Sequence, residues 1–181
     1  MAPRKPRIAP GNLRDLGLFN GALTRALGVA SGGPPPNIFL TLGRHRSLFR
    51  KWLLFAGGLM PGGELKRSES ELVILGVAHT MRCAYEWDHH ERLAKRAGVS
   101  DEAIDSVRHG NFEADCFTAR EKAFLQACQD LYDRREILED TWRALEELAT
   151  EVEIIELCML VGHYQMLAMT LNTLRVPLDP R

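Results

Sequence analysis

Apolar residues recur every three or four positions along most of the 181-residue chain. At this spacing side chains share one face of an α-helix. Runs of alternating Val, Ile and Thr bounded by turns, which indicate β-strands, do not occur in the sequence. The pattern therefore predicts an all-α domain, a multi-helix bundle with seven or eight helices between residues 37 and 175.

The first 36 residues differ from the rest of the chain. Residues 13–27 predict a first helix, and the run SGGPPPN at 31–37 cannot continue it because proline lacks an amide donor. We expect residues 1–36 to form an N-terminal arm or linker with a short helix. Residues 37–178 are then long enough to form one helical domain with its own core.

Helix boundaries are predicted by capping residues. In a capping box, a Ser or Thr accepts an early backbone N–H and a Glu three positions later bonds back to the Ser or Thr backbone. Three such pairs occur: Ser68 with Glu71, Thr118 with Glu121, and Thr150 with Glu153. They predict helices that begin near residues 69, 119 and 151. Gly98 and Gly110 suit helix ends, and Ser100 suits a helix start.

The composition is that of a soluble globular protein, with 45% hydrophobic and 26% charged residues. The formal net charge of -1 gives no electrostatic reason to expect nucleic acid. The basic start is not followed by an apolar run of signal-peptide kind, and no stretch is expected to span a bilayer. We predict a cytoplasmic protein that binds a small molecule or another subunit, and no membrane. Its four cysteines, which lack CxxC spacing, are expected to be free thiols.

The segment RCAYEWDHHERLAKRAG, residues 82–98, is the most polar stretch of an otherwise amphipathic pattern. Four polar residues spaced 4, 3 and 4 apart would share one face of a continuous helix: His79, Cys83, Glu86 and His90. Tyr85 and Trp87 flank this face, and aromatic neighbours can exclude water and shift pKa values. The face is thus a candidate reaction centre.

Metal binding is the main rival interpretation, because His, Cys and Glu are all competent zinc ligands. The HExxH arrangement is absent from the sequence. On one straight helix, His79 and His90 would lie about 16 Å apart along the axis, too far for one ion. We therefore expect neither a metal nor another cofactor.

The run ELVILGVAHTMRCAYEWDHHERLAKRAGVSDEAI resembles the carboxymuconolactone decarboxylase family, which includes alkyl hydroperoxidase D. The upstream NIFLTLGRHRSLFRKW and the downstream LVGHYQMLAMTLNTL contribute, so the resemblance covers roughly residues 37–178. It implies an all-helical bundle of the alkyl hydroperoxidase D-like type. It also implies a homo-oligomer, because the family assembles as dimers, trimers or hexamers.

The resemblance also implies a site. In the hydroperoxidase branch, a glutamate on one helix is followed by Cys-x-x-Cys-x-x-x-His on the next, and Glu71, Cys83 and His90 match this pattern. Glu86 replaces the second cysteine, so no neighbouring thiol can resolve a sulfenic acid at Cys83. The family's helix break just before the first cysteine would place the sulfur at a helix N-terminus, which favours thiolate. Decarboxylase-type members carry Glu-x-x-x-His, which Glu86 and His90 reproduce.

Three functions follow for the catalytic candidates Glu71, Cys83, Glu86 and His90. The first is lyase-type acid–base chemistry, decarboxylation or isomerisation of a small lactone or carboxylic acid, with Glu86 and His90 exchanging the proton. The second is a one-cysteine peroxidase or thiol oxidoreductase, in which Cys83 is the nucleophile and an external thiol the reductant. The third is a non-catalytic oligomeric protein that binds a small molecule.

Each candidate also has a purely structural interpretation. Glu71 fits a capping box, and Cys83 fits a small buried residue. His79 fits a supporting or core histidine. His163 and Tyr164, on the last predicted helix, can reach the site from across the bundle or can pack with one satisfied polar tip.

Overall fold

A computed structural model describes residues 5–30 and 33–180, and within these ranges the chain forms nine α-helices and no β-strand. The helices are α1 (Leu13–Ala30), α2 (Asn37–Leu42), α3 (Arg46–Leu59), α4 (Arg67–Thr80), α5 (Ala84–Arg96), α6 (Asp101–Arg108), α7 (Ala119–Asp133), α8 (Glu139–Leu148) and α9 (Glu151–Leu174). Eight of them lie between residues 37 and 175, so the predicted all-α bundle is confirmed.

The chain divides into two compact units. Unit 1 comprises residues 1–60 and 170–181, and unit 2 comprises residues 61–169. Residues 33–36 of the predicted linker are not helical, whereas residues 1–4 and 31–32 lie outside the described part of the chain. The predicted domain boundary at residue 36 stays a prediction.

Within unit 1, the first helix is kinked at Gly17. This glycine has φ +75° and ψ 166°, a combination that L-residues with a Cβ rarely adopt. The guanidinium of Arg46 donates hydrogen bonds to the backbone carbonyls of Arg14 (2.8 Å) and Asp15 (3.1 Å) next to the kink. The carbonyl groups of Arg14 and Asp15 therefore have hydrogen-bond partners although the kink interrupts the helix.

The centre of unit 2 is α4. Its residues 69–78 are all buried, because the segment LVILGVA is apolar on every side and a helix of that kind belongs in a core. It contacts α5, α6 and α7. The buried apolar cluster around it comprises Leu72, Leu75, Ala94, Ala103, Ile104, Val107, Phe112, Phe117 and Leu125. The acidic residues at the start of α4 must therefore find their partners inside the protein.

Two of the three predicted capping boxes are present. Glu121 N–H donates to Thr118 Oγ1 (3.2 Å), and Thr118 N–H donates to the Glu121 carboxylate (2.8 Å). Thr150 and Glu153 form the same two hydrogen bonds at the start of α9 (3.3 and 2.8 Å). These pairs confirm the helix starts predicted near residues 119 and 151.

The third predicted capping box is wrong. Helix α4 begins at Arg67, and its first turn is capped by Glu69, which accepts a hydrogen bond from Lys66 N–H (3.3 Å). Ser68 therefore lies inside the helix rather than before it. Glu71 lies four residues after Arg67, in the second turn of the helix, so its carboxylate is not a capping group.

The last helix corrects the expectation that no segment could span a bilayer. Helix α9 has 24 residues and is apolar enough to cross a membrane by length and composition alone. In the structure, however, 56% of its most apolar window is buried, as in the core helix of a soluble protein. The cytoplasmic location stays a prediction.

Arg120, near the start of α7, joins four helix termini. Its guanidinium bonds to Glu69 on α4 (2.9 Å) and to Glu153 on α9 (2.6 Å), and it also donates to the carbonyl of Leu148 at the end of α8. Glu69 is only 6% exposed, and hydrogen bonds from the Arg120 guanidinium first, and then from the Thr150 backbone, lower the pKa of Glu153 to about 2. This network gives the buried Glu69 carboxylate a cation within the protein.

We predict that Arg120→Met lowers the free energy of unfolding by about 3 kcal/mol, because it leaves the buried Glu69 carboxylate without its cation. Arg143→Met is the matched control: Arg143 pairs only with exposed acids on α8, so the expected loss is below about 0.5 kcal/mol. Urea denaturation at pH 7 measures both. Equal losses in the two variants would contradict the role given to Arg120.

Candidate functional site

Helix α4 ends in a tight backbone motif just before the candidate cysteine. Cys83 N–H donates to the carbonyl of Ala78 (2.9 Å), and Arg82 N–H donates to that of His79 (3.0 Å). This is the Schellman pattern, which requires a left-handed residue at its penultimate position. Arg82 fills that position with φ +50°, at a cost of roughly 1 kcal/mol for a residue with a Cβ.

Cys83 is at the same time the N-cap of α5, and its carbonyl accepts the first helical hydrogen bond, from Trp87 N–H (3.0 Å). The helix is therefore not continuous between residues 79 and 90. The predicted single face holding His79 together with the other three residues is thus wrong. His79 lies on α4, where its ring contacts Phe112 edge-on (5.9 Å).

Glu71 and His90 form a buried pair between α4 and α5. His90 Nδ1 lies 2.7 Å from Glu71 Oε2, and the two residues are 7% and 0% exposed. The other oxygen, Oε1, forms an ion pair with Arg67 (2.6 Å), whose side chain is 44% exposed. Burial lowers the pKa of His90, and Glu71 opposes this only in part. A neutral His90 that donates from Nδ1 keeps its lone pair on Nε2.

Cys83 and Glu86 form a second buried pair at the start of α5, where they are 1% and 2% exposed. Burial raises the pKa of Glu86 to about 8. No hydrogen bond of normal geometry reaches either of its carboxylate oxygens from the described residues. The nearby Cys83 thiol interacts with the carboxylate and offsets part of the rise. Glu86 is therefore a carboxyl group that keeps its proton at neutral pH.

The Cys83 thiol does not follow the expectation that a helix N-terminus favours thiolate. Burial, followed by the negative charge of Glu86, raises the pKa of the thiol to about 12. The backbone N–H groups of Tyr85 and Glu86 act in the opposite direction but are outweighed. As pH rises, the first proton to leave this pair is therefore the one on Glu86.

Tyr164 on α9 completes the site. Its ring packs edge-on against His90, with 5.1 Å between the ring centroids. The pKa of the phenol is raised by burial first and then by the charges of Glu71 and Glu86, so the phenol lies near both carboxylates. Unit 2 thus brings together Glu71, Cys83, Glu86, His90 and Tyr164 from three helices.

Two other predicted pocket residues lie at the edge of this cluster. His163 is buried, its ring packs against Tyr164 (5.1 Å), and burial lowers its pKa to about 4. Tyr85 is also buried, and its ring stacks on His89, which in turn contacts His90 (5.2 Å).

The Trp87 side chain does not join the cluster around Cys83. Its Nε1 donates to Glu91 (3.1 Å), and the guanidinium of Arg108 lies over its ring (4.5 Å). The side chain also packs on the apolar cluster around α4. Trp87 therefore joins α5 to α6 and is not among the side chains gathered at Cys83.

The predicted proton-sharing pair of Glu86 and His90 is not formed in the structure. His90 hydrogen-bonds to Glu71, and Glu86 is coupled to Cys83. Sequence reasoning missed Arg67, which pairs with Glu71. The i,i+4 spacing of these two residues was the available signal.

The four cysteines are free thiols in the described chain. Cys128 is fully buried, and burial raises its pKa to about 12. Burial also raises the pKa of Cys158. Among residues 5–30 and 33–180, no group of three or more His, Cys, Asp or Glu side chains could hold a metal ion. The absence of a metal in the working protein stays a prediction.

Comparison with known proteins gives a family and a fold. Residues 46–130 match the model of the carboxymuconolactone decarboxylase family, and this range contains Glu71, Cys83, Glu86 and His90. No curated protein matches the sequence.

Several solved structures share the fold at low identity. One is an alkylhydroperoxidase AhpD core protein, an uncharacterized peroxidase-related protein from Ralstonia eutropha JMP134, with a TM-score of 0.85 and 20% identity over 96% of this chain and 92% of that chain. Another uncharacterized peroxidase-related protein, from Silicibacter sp. TM1040, has a TM-score of 0.84 and 15% identity over 99% and 95%.

A third similar structure is a cysteine-to-alanine variant of the debrominase Bmp8 in complex with 2,3,4-tribromopyrrole, with a TM-score of 0.80 and 15% identity over 95% and 91% of the two chains. At these identities the structural likeness establishes the fold alone. Residues 46–130 therefore carry the carboxymuconolactone decarboxylase family region, and the fold is that of alkyl hydroperoxidase D-like proteins.

Proposed function

We propose that the protein is a one-cysteine thiol oxidoreductase that reduces a small electrophile, of which an organic hydroperoxide is the model substrate. The observation that carries the proposal is that the Cys83 thiol and the Glu86 carboxyl are buried together at the start of α5, at 1% and 2% exposure, where burial raises the pKa of Glu86 to about 8. The similar structures include two peroxidase-related proteins and a debrominase, which is consistent with electrophile reduction on this fold.

In the first step, the ionised form of Glu86 takes the proton of the Cys83 thiol as the hydroperoxide arrives. The sulfur attacks one peroxide oxygen, an S–O bond forms, and the O–O bond breaks. The leaving alkoxide takes the proton from Glu86 and departs as an alcohol. Sulfur is oxidised to sulfenic acid and the peroxide is reduced, so atoms and electrons balance.

The second step needs an external thiol, because Glu86 stands where a resolving cysteine would be. That thiol attacks the sulfenic sulfur of Cys83, water leaves, and a mixed disulfide forms. A second thiol then releases the oxidised reductant and restores Cys83. The reductant is therefore a monothiol that acts twice or a dithiol.

The pair of Glu71 and His90 would serve this chemistry by orientation. Glu71 accepts a hydrogen bond from Nδ1 of His90, so the lone pair on Nε2 can accept a proton from the incoming thiol or from water. Arg67 holds the other oxygen of Glu71 and compensates its buried charge. Because Cys83, Glu86 and Glu71 are each at most 2% exposed, the site favours small substrates.

Acid–base lyase chemistry is the second candidate, and one observation favours it. A carboxyl group that is protonated at neutral pH can donate a proton as a general acid, and Glu86 is such a group. In this alternative Cys83 only lines the site, and the substrate is a small lactone or carboxylic acid. The two candidates differ in whether turnover requires the sulfur of Cys83.

We predict that Cys83→Ser abolishes the reduction of tert-butyl hydroperoxide by dithiothreitol, because it removes the sulfur that the peroxide oxidises. The wild-type protein treated with the hydroperoxide should form a sulfenic acid that a dimedone trap locates at Cys83 by mass spectrometry. Cys158→Ser, which removes a half-buried thiol outside the cluster, is the control and should retain activity.

Two results would contradict this assignment. The first is hydroperoxide turnover that persists in Cys83→Ser. The second is a wild-type protein that is inert to hydroperoxide yet converts a small lactone or carboxylate substrate, with Cys83→Ser equally active, which would support the lyase. A protein that binds such compounds and turns over neither class would support a binding role.

The pH dependence of the reaction is predicted from the charge state of Glu86. Only its ionised form can accept the thiol proton, so the rate of Cys83 oxidation should rise with pH and level off above about pH 8. Glu86→Gln should lower the rate at pH 8 by about a hundredfold and remove this rise. Asp88→Asn, which changes another carboxylate on α5, should leave the profile unchanged. Stopped-flow oxidation between pH 5.5 and 9.5 measures all three proteins.

Thiol ionisation without help from Glu86 would give a different profile. The rate would then climb steadily toward the pKa of the thiol, without a plateau near pH 8, and Glu86→Gln would be faster than the wild type because a repelling charge is gone. Either behaviour would remove Glu86 from the mechanism.

A further inference from the structure

The charges of the chain are divided unequally between its two units. Residues 1–60 and 170–181, which form unit 1, contain eleven Lys or Arg and two Asp, whereas residues 61–169 contain twelve Lys or Arg and twenty-two Asp or Glu. The formal net charges are therefore +9 for unit 1 and -10 for unit 2, which add up to the -1 of the whole chain. Such a difference between two parts of a chain indicates a charged binding partner for one of them.

The positive charge of unit 1 is not neutralised within its first sixty residues. No Asp or Glu lies between Asp15 and Glu64, and Asp15 itself is paired with Arg44 (2.9 Å). The other basic residues of this segment thus have no acid within the segment to pair with. Four of them on α1 and α3 are exposed: Arg14, Arg25, Arg50 and Lys51. Together they create a positive potential that attracts anions.

The exposed face of α3 combines charged and apolar side chains. Arg50 and Lys51 are both exposed, and Leu54, about one turn further along, is 80% exposed. Because positions three and four apart share a helix face, Leu54 lies next to both cations. Leu48, three residues before Lys51, is 57% exposed and extends the apolar part of the face. The side of α3 that faces solvent is therefore both basic and apolar.

Leu54 protrudes from this face. The positions three and four residues after it, Gly57 and Gly58, are exposed glycines. No atom lies within 4 Å of the place that a Cβ would occupy at either of them. No side chain from that turn therefore covers Leu54, and an apolar environment would stabilise it relative to water.

Helix α1 adds an aromatic ring to the same surface. Phe19 is 65% exposed, and the guanidinium of Arg50 lies over its ring at 5.7 Å from the centroid. This contact joins the exposed ring on α1 to the basic face of α3. We call the resulting patch the basic–apolar surface, and it consists of Phe19, Leu48, Arg50, Lys51 and Leu54.

We propose that the basic–apolar surface of unit 1 binds the surface of an anionic lipid bilayer. The lipid head groups supply negative charge to Arg50 and Lys51, and the acyl region beneath them removes Leu54 and Phe19 from water. A guanidinium over an aromatic ring suits this boundary, because the cation stays among the phosphates while the ring enters the apolar layer. The inference is independent of the proposed function.

The proposal revises the expectation that the protein has no membrane partner. That expectation considered signal peptides and segments that span a bilayer, whereas a contact at the lipid surface needs neither. It also considered the net charge of the whole chain, in which the charges of unit 1 and unit 2 nearly cancel.

Nucleic acid fits the surface less well than lipid does. Phosphates would pair with Arg50 and Lys51, and Phe19 offers one ring on which a base could stack. A sugar–phosphate backbone, however, gives aliphatic side chains such as Leu48 and Leu54 no apolar partner, so they would stay in water. A lipid surface accommodates both the charged and the apolar residues.

Co-sedimentation of the full chain with vesicles tests the proposal. The protein should bind vesicles of phosphatidylcholine with about 30% phosphatidylglycerol, but not vesicles of phosphatidylcholine alone. Salt at about 1 M should release most of it, because the screening length falls to about 3 Å. Arg50→Gln together with Lys51→Gln should lower the partition coefficient about 25-fold, since each basic residue contributes about fivefold. Leu54→Ser should lower it about tenfold by removing the protruding apolar group.

Unit 2 offers a matched control for each change. Arg134→Gln together with Arg143→Gln removes the same charge from two exposed positions of unit 2. Ile155→Ser replaces an apolar residue of unit 2 that is 65% exposed. Both controls should bind the anionic vesicles as the wild type does, and circular dichroism confirms that every variant is folded.

Four results would overturn the proposal. The first is a wild-type protein that does not bind the anionic vesicles or that binds both kinds equally. The second is an equal loss in the charge control and in Arg50→Gln with Lys51→Gln, which would reduce the effect to net charge. The third is unchanged vesicle binding in Leu54→Ser with a lower mass by light scattering, which would assign the surface to a contact between copies. The fourth is binding of an RNA or DNA oligonucleotide in place of vesicles, lost in Arg50→Gln with Lys51→Gln.

Discussion

The backbone junction between α4 and α5 is the constraint on which the candidate site depends. Arg82 adopts a left-handed conformation, and Cys83 closes one helix while it begins the next. This turn places the thiol at the start of α5, one turn from Glu86 and away from His79. Without the break, the polar residues would line a single helix face, and α4 could not supply Glu71 to His90 from a separate helix.

Because α4 is buried, the polar residues of the candidate site form two separate pairs, Glu71 with His90 and Glu86 with Cys83. Glu71 is fully buried, so its charge needs both Arg67 and His90 as partners. With His90 committed to Glu71, the Glu86 carboxyl remains near Cys83 and keeps its proton at neutral pH. One pair thus fixes an imidazole tautomer, while the other couples a thiol to a proton acceptor.

The sequence predicts the helices well because their ends are encoded by local chemistry. Gly98 and Gly110 occupy left-handed positions after α5 and α6, as glycine spacing predicts. Arg82 and Arg175 adopt the same conformation without a glycine to indicate it, so the break before Cys83 was available only from the family resemblance. The four catalytic candidates were identified from spacing and resemblance, but their pairing was not. Which carboxylate bonds to His90 is determined by packing between α4 and α5, which no local pattern encodes.

The central claim is that Glu86, and not Cys83, is the group of the buried pair that titrates near neutral pH. Infrared spectroscopy of the protein labelled with ¹³C at Glu carboxyl carbons, compared with Glu86→Gln, measures this directly. The account predicts a protonated-carboxyl stretch that is present at pH 6, disappears with a midpoint near pH 8, and is absent from the variant. A Glu86 carboxylate already ionised at pH 6, together with a thiolate signal from Cys83 at neutral pH, would contradict it.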